Sequence, residues 1–65
     1  MIDIYVTVEL CQGNIAEVRA YWNEQLADIA EKRWLKDHNI QSQIDRDGKA
    51  QNGTEFYIYT CTLDE

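Results

Sequence analysis

Ile2-Asp3-Ile4-Tyr5-Val6-Thr7-Val8-Glu9-Leu10 is the stretch on which the fold turns, because Ile2, Ile4, Val6, Val8 and Leu10 alternate without a break against Asp3, Tyr5, Thr7 and Glu9. Successive side chains of a strand point to opposite sides of the sheet. This period of two therefore predicts a half-buried strand with one aliphatic and one polar side. The aliphatic side is expected to face the core, and the rest of the chain must supply what covers it.

Cys11-Gln12-Gly13 interrupts the alternation, and Asn14-Ile15-Ala16-Glu17 has the form of a capping box at a helix start. From Asn14 to about Lys36 there is neither Gly nor Pro, and Ala, Leu, Glu, Gln, Lys and Arg dominate, which predicts one long helix. At helical spacing Ile15, Val18, Trp22, Leu26 and Ile29 fall on one stripe, and Glu17, Tyr21, Glu24, Asp28 and Glu31 fall on the opposite one. Lys32, Arg33 and Lys36 gather in the last turns, where cations suit the helix dipole.

Asp37-His38-Asn39 reads as the helix exit, and Ile40 to Asp45 as a short edge strand with Ile40 and Ile44 on one side. Asp47-Gly48 and Asn52-Gly53 are turn signals around Lys49-Ala50-Gln51, which predicts a hairpin loop. Thr54 to Leu63 is rich in aromatic and β-branched residues and is placed as the last strand, in the middle of the sheet; Asp64-Glu65 forms a short acidic end. The expected fold is α+β, a single small domain over residues 1–65 in the order β-α-β-β. One amphipathic helix packs on a three-stranded antiparallel sheet of order 1-3-2. The alternative pairs the first two strands in parallel through a right-handed crossover.

With 65 residues the chain can support one small core. An apolar fraction of 45% with 11% aromatics favours a folded domain over an acidic disordered tail. No apolar run approaches the roughly 18 residues of a membrane span, and Met1-Ile2-Asp3 enters a strand pattern in place of a signal core, so a cytoplasmic protein is expected. The 12 acids against 6 bases leave a net charge of −6, which repels phosphate backbones and anionic lipid; neither nucleic acid nor membrane is the expected partner.

Candidate chemistry is sparse. His38, the single histidine, sits at the predicted helix exit, and Ser42 has no catalytic motif around it. Cys11 and Cys61 lack a Cys-x-x-Cys pattern or a histidine at ligand spacing, and in the antiparallel arrangement they lie at opposite ends of the sheet as free thiols. Asp45-Arg46-Asp47-Gly48 resembles part of a calcium loop, but the alignment puts Gln43 at the first ligand position and Thr54 at the last, where Asp and Glu are required. Asn52-Gly53-Thr54 matches a glycosylation sequon and is read as a turn. Neither catalysis nor a cofactor nor a metal is expected.

Two surfaces stand out. With Ile2, Ile4, Val6 and Val8 packed on the helix beside Ile40, Ile44, Phe56 and Ile58, the outer side of the sheet carries Tyr5, Thr7, Gln41, Gln43, Tyr57 and Tyr59, together with Cys11 and Cys61, and has no helix to cover it. Exposed tyrosines on a rigid sheet offer large contact area with a polar tip, a composition enriched in protein interfaces. The second surface is the acidic helix stripe Glu17, Tyr21, Glu24, Asp28 and Glu31, which would orient a basic partner. The expected function is a non-enzymatic protein-binding module, an inhibitor or adaptor, whose partner is a basic protein or a second copy. In size and shape the layout is similar to small accessory proteins of phages and other mobile elements that inhibit host enzymes, a resemblance carried by no motif. A structural homo-oligomer pairing through the sheet face is the alternative. Single-stranded nucleic-acid binding on the tyrosines is the other, and Asp3, Glu9 and Glu55 oppose it.

Overall fold

The computed structural model describes residues 2–63; Met1 and the acidic end Asp64-Glu65 lie outside the described residues. The elements run β1 (Ile2–Cys11), β2 (Asn14–Tyr21), α1 (Glu24–Asp37), α2 (Gln43–Gln51) and β3 (Glu55–Leu63). The alternating stretch forms β1, as its period of two predicts. Gln12 and Gly13 then turn the chain with φ of 52° and 82°, the left-handed pair that matches the twist of a two-residue hairpin. β1 lies in the centre of a three-stranded sheet, with β2 on one side and β3 on the other, both antiparallel to it.

The α+β class, the antiparallel three-stranded sheet and the pairing of the first strand with the last are all present. Several expectations are corrected. Asn14 to Lys36 is not one helix: Asn14–Tyr21 is a strand, and α1 starts only after Asn23, whose side-chain oxygen accepts from the Leu26 amide at 2.9 Å. Glu17, Arg19 and Tyr21 alternate with Val18 and Ala20, and the ladder to β1 outweighs the local helix propensity of this Ala-containing stretch. Ile40 to Asp45 is not a strand: Ser42 caps α2 by accepting from the Asp45 amide at 3.3 Å, while the Asp45 carboxylate accepts from the Gln41 amide at 3.1 Å. The predicted hairpin loop around Lys49-Ala50-Gln51 is the second half of that helix. There are thus two helices where one was expected, and β1 rather than the last strand occupies the centre.

Among the described residues only Thr7, Ala27, Trp34 and Phe56 are buried. Trp34 is the hub, with the Phe56 ring centroid at 5.5 Å, the His38 ring at 4.8 Å and the Arg46 guanidinium 5.7 Å from its ring centre. Arg46 also donates to the Glu31 carboxylate and the Phe56 carbonyl, both at 3.2 Å, and so ties α2 to α1 and β3 at once. His38 closes α1 by donating from Nδ1 to the Trp34 carbonyl at 2.9 Å. The two chain reversals are joined as well. The Gly13 amide donates to the Gly53 carbonyl at 3.0 Å, and a side chain on Gly53, with φ of 79°, would place its Cβ 2.4 Å from the Gly13 nitrogen.

Directly paired residues of an antiparallel ladder share a side of the sheet. Phe56 pairs with Glu9 and Ile58 with Thr7, so the helices lie on the Tyr5, Thr7, Glu9 side of β1. This reverses the expected orientation of the first strand. Phe56 and Ile58 do face the helices, but the register brings Thr7 and Glu9 with them and leaves the aliphatic row of β1 on the other side, beside the tyrosines of β3.

Candidate interaction surface

The uncovered side of the sheet is built by three strands in register. β1 contributes Ile2, Ile4, Val6, Val8 and Leu10. Opposite them, β2 places Ile15 beside Leu10, Val18 beside Val8 and Ala20 beside Val6, and β3 places Tyr57 beside Val8, Tyr59 beside Val6, Cys61 beside Ile4 and Leu63 beside Ile2. Neither helix reaches this side. Val18 and Tyr59 are each 55% exposed and Ile15 68%, while the β1 residues are half-buried by their neighbours in the sheet. The charge on this side, among the described residues, is Glu55, which pairs with Leu10 at the start of β3 and therefore sits at a corner. The Tyr57 and Tyr59 rings lie 6.1 Å apart, and the Tyr57 phenol is pushed up, chiefly by hydrogen bonding to Glu55.

The residues singled out in the sequence are divided by this arrangement. Tyr57 and Tyr59 lie on the open side. Tyr5 and Thr7 lie on the helix side, where Thr7 is buried. Gln41 is in the connection between the helices, and Gln43 opens α2 with its amide donating to Asp47 at 2.9 Å, so neither belongs to the sheet. The acidic stripe is split too. Glu17 and Tyr21 are on β2, facing the helices, while Glu24, Asp28 and Glu31 share one face of α1. Glu24 and Asp28 are exposed, and Glu31 is held by Arg46. What the sequence reading missed is the aliphatic row itself as a surface. The pairing of Val6 with Tyr59 and of Val8 with Tyr57 decides it, and no local pattern encodes that parity.

A shallow cleft of about 200 Å³ lies on the helix side, lined by Thr7, Glu9, Glu17, Arg19, Arg33 and Phe56 among others. Glu9 and Glu17 oppose each other across the β1–β2 ladder. Burial, then hydrogen bonding to Glu17 and its charge, push the Glu9 carboxyl up. Hydrogen bonding from Glu9 and the Arg19 guanidinium, 2.5 Å away, hold Glu17 down. Glu17 is already engaged by Arg19. Cys11 and Cys61 are free and exposed, the first at the hairpin end of β1 and the second on the open side next to Ile4. Among the described residues no group of three or more His, Cys, Asp or Glu is placed to hold a metal, and no helix is long and apolar enough to cross a membrane. In comparisons with known proteins no family model matches the chain, and neither a curated protein nor a solved structure gives a significant match.

Proposed function

We propose that the chain is a non-enzymatic protein-binding module, an inhibitor or adaptor, that makes its contact through the open side of the sheet. The observation that carries this reading is the continuous aliphatic and tyrosine surface of Ile4, Val6, Val8, Val18, Tyr57 and Tyr59, which no helix covers. Large exposed apolar patches mark interaction sites, and tyrosines within such a patch supply contact area with little loss of conformational freedom. Among the described residues, the charge other than Glu55 at the corner lies off this side, with Glu24 and Asp28 exposed on α1. It supports a role in solubility and in steering a basic partner more than in the contact itself. Nucleic acid is not proposed, because all six Lys and Arg of the chain lie off the side that carries Tyr57 and Tyr59, on the helix-facing side of β2 or on the helices.

The reading is tested with Tyr59→Lys and Val18→Lys variants of the purified protein. Binding to a partner from the native host, or to a second copy, is expected to be lost while the far-UV spectrum stays that of the wild type. Undiminished binding in both folded variants, with loss on Glu24→Lys or Asp28→Lys instead, overturns it.

A further inference from the structure

We infer that the occupant of the open side is a second copy of this chain, stacked sheet against sheet as a two-fold dimer. The inference rests on the protein-binding reading above and names its partner.

Surface area carries the first part of the argument. The chain presents 4989 Å² of accessible surface at 7.6 kDa. A folded monomer of that mass ordinarily presents about 4,300 Å², so this one is in excess by about 700 Å². That excess is close to the roughly 800 Å² that each partner contributes to a stable interface. Shape agrees. The radius of gyration is 12.8 Å and the principal extents are 41 × 22 × 15 Å, against about 11 Å for a compact domain of this length. Five of the exposed large apolar side chains, Ile15, Val18, Tyr57, Tyr59 and Leu63, belong to the open side of the sheet, which has no second layer.

Charge carries the second part. A face that meets its own copy must tolerate every one of its charges twice. Here the described charge is Glu55 at a corner, where it stays in the solvated rim, so stacking brings no like charges together in the middle. Among the described residues a strongly basic partner would find one carboxylate on this side to pair with, Glu55 at the corner. Small β-branched side chains from Val6, Val8 and Val18 also suit the interdigitation of two sheets about 10 Å apart.

β2 and β3 each present a free edge, and pairing by the edge of β2 is one competing geometry. That edge carries a register shift opposite Glu9 and Leu10, and the charged Glu17 and Arg19, devices that blunt strand addition. Leu26 and Ile29 are exposed apolar side chains of α1, off the open side of the sheet, which makes Ile29 the control position.

The test is sedimentation of the full chain over a range of concentrations, combined with thiol labelling. Wild type is expected near twice 7.6 kDa at submillimolar concentration. Val18→Lys is expected to raise the concentration for half-dimerisation at least about 30-fold with an unchanged far-UV spectrum. Ile29→Lys is expected to change nothing. In the wild-type dimer Cys61 is expected to react slowly and Cys11 fast, and in Val18→Lys both react fast. A monomeric wild type overturns the inference, as does a dimer that Ile29→Lys dissolves and Val18→Lys leaves intact, or a dimer in which Cys61 reacts as fast as Cys11. A photoreactive residue in place of Val18 separates the two levels. If the wild type is monomeric and the probe cross-links to a different host protein, the second copy is refuted while the protein-binding reading stands.

Discussion

Thr7 and Val8 are neighbours on β1 that point to opposite sides of the sheet, and placing the same charge at each reads out which side is covered. Thr7 is 3% exposed on the helix side, next to Glu9 on the same side, with Arg19 opposite and already engaged by Glu17. A carboxylate there, in Thr7→Asp, loses nearly all its hydration, for an effective cost of several kcal/mol per ion, partly offset by the Arg19 charge. The net loss expected is about 3 kcal/mol, set against a total stability of roughly 3–10 kcal/mol for a domain of this size. Val8 is half-buried between Val18 and Tyr57 on the open side, where a carboxylate remains hydrated. Val8→Asp gives up part of one side chain's apolar contact and some strand preference, about 1 kcal/mol. Urea unfolding followed by far-UV dichroism and tryptophan fluorescence measures both, at protein concentrations low enough that association contributes nothing. The urea midpoint of Thr7→Asp is expected to fall by the equivalent of about 3 kcal/mol, and that of Val8→Asp by about 1 kcal/mol. If Val8→Asp unfolds the chain while Thr7→Asp keeps the wild-type midpoint, the helices cover the aliphatic side and the reasoning fails.

Three further outcomes follow from the same contacts. Gly53→Ala is expected to cost about 2–3 kcal/mol, because φ of 79° and a Cβ 2.4 Å from the Gly13 nitrogen both oppose it; an unchanged urea midpoint would show that the two reversals do not touch. Gly48→Ala is expected to gain about 0.8 kcal/mol, since Gly48 lies inside α2 with nothing near its Cβ position, and thermal melting checks the sign. The raised Glu9 carboxyl stabilises the fold when protonated and loses that contribution as pH rises through its raised value, so at neutral pH its charge opposes Glu17. Glu9→Gln is therefore expected to gain about 0.5 kcal/mol at neutral pH. The gain fades below the ordinary carboxylate range, and an equal gain at both pH values would contradict the pairing.

β1 and β3 are legible in the sequence because each keeps one signal: strict alternation in Ile2 to Leu10, and aromatic with β-branched residues in Glu55 to Leu63. Asn14 to Tyr21 carries two signals at once. Its alanines and the Asn14, Glu17 spacing favour a helix, while Glu17, Arg19 and Tyr21 against Val18 and Ala20 fit a strand. Pairing with β1 decides between them, and that is a long-range term. Gln12-Gly13 between two alternating runs was the available hint. Ser42 followed three residues later by Asp45 is likewise a legible capping box, masked by the Gly48 and Gly53 turn signals. Which side of β1 is covered lies beyond any pattern within β1. The answer rests on the parity of Phe56 against Glu9 and on the aromatic cluster of Trp34 that Phe56 joins. The tyrosines of β3 are legible as a surface, whereas the alternation within β1 alone points its aliphatic row to the core.

The helices cover the Thr7 side of β1. Through-space proton contacts in solution measure this most directly. Thr7, Ala30 and Phe56 line one cleft, with Trp34 packed on Phe56. Cross-peaks are expected from Thr7 to Ala30 and Phe56, and from the Trp34 indole to the Phe56 ring, with none from Val6 or Val8 to any residue of α1. Cross-peaks joining the methyls of Val6 and Val8 to Ala27, Ala30 or Trp34 would contradict it.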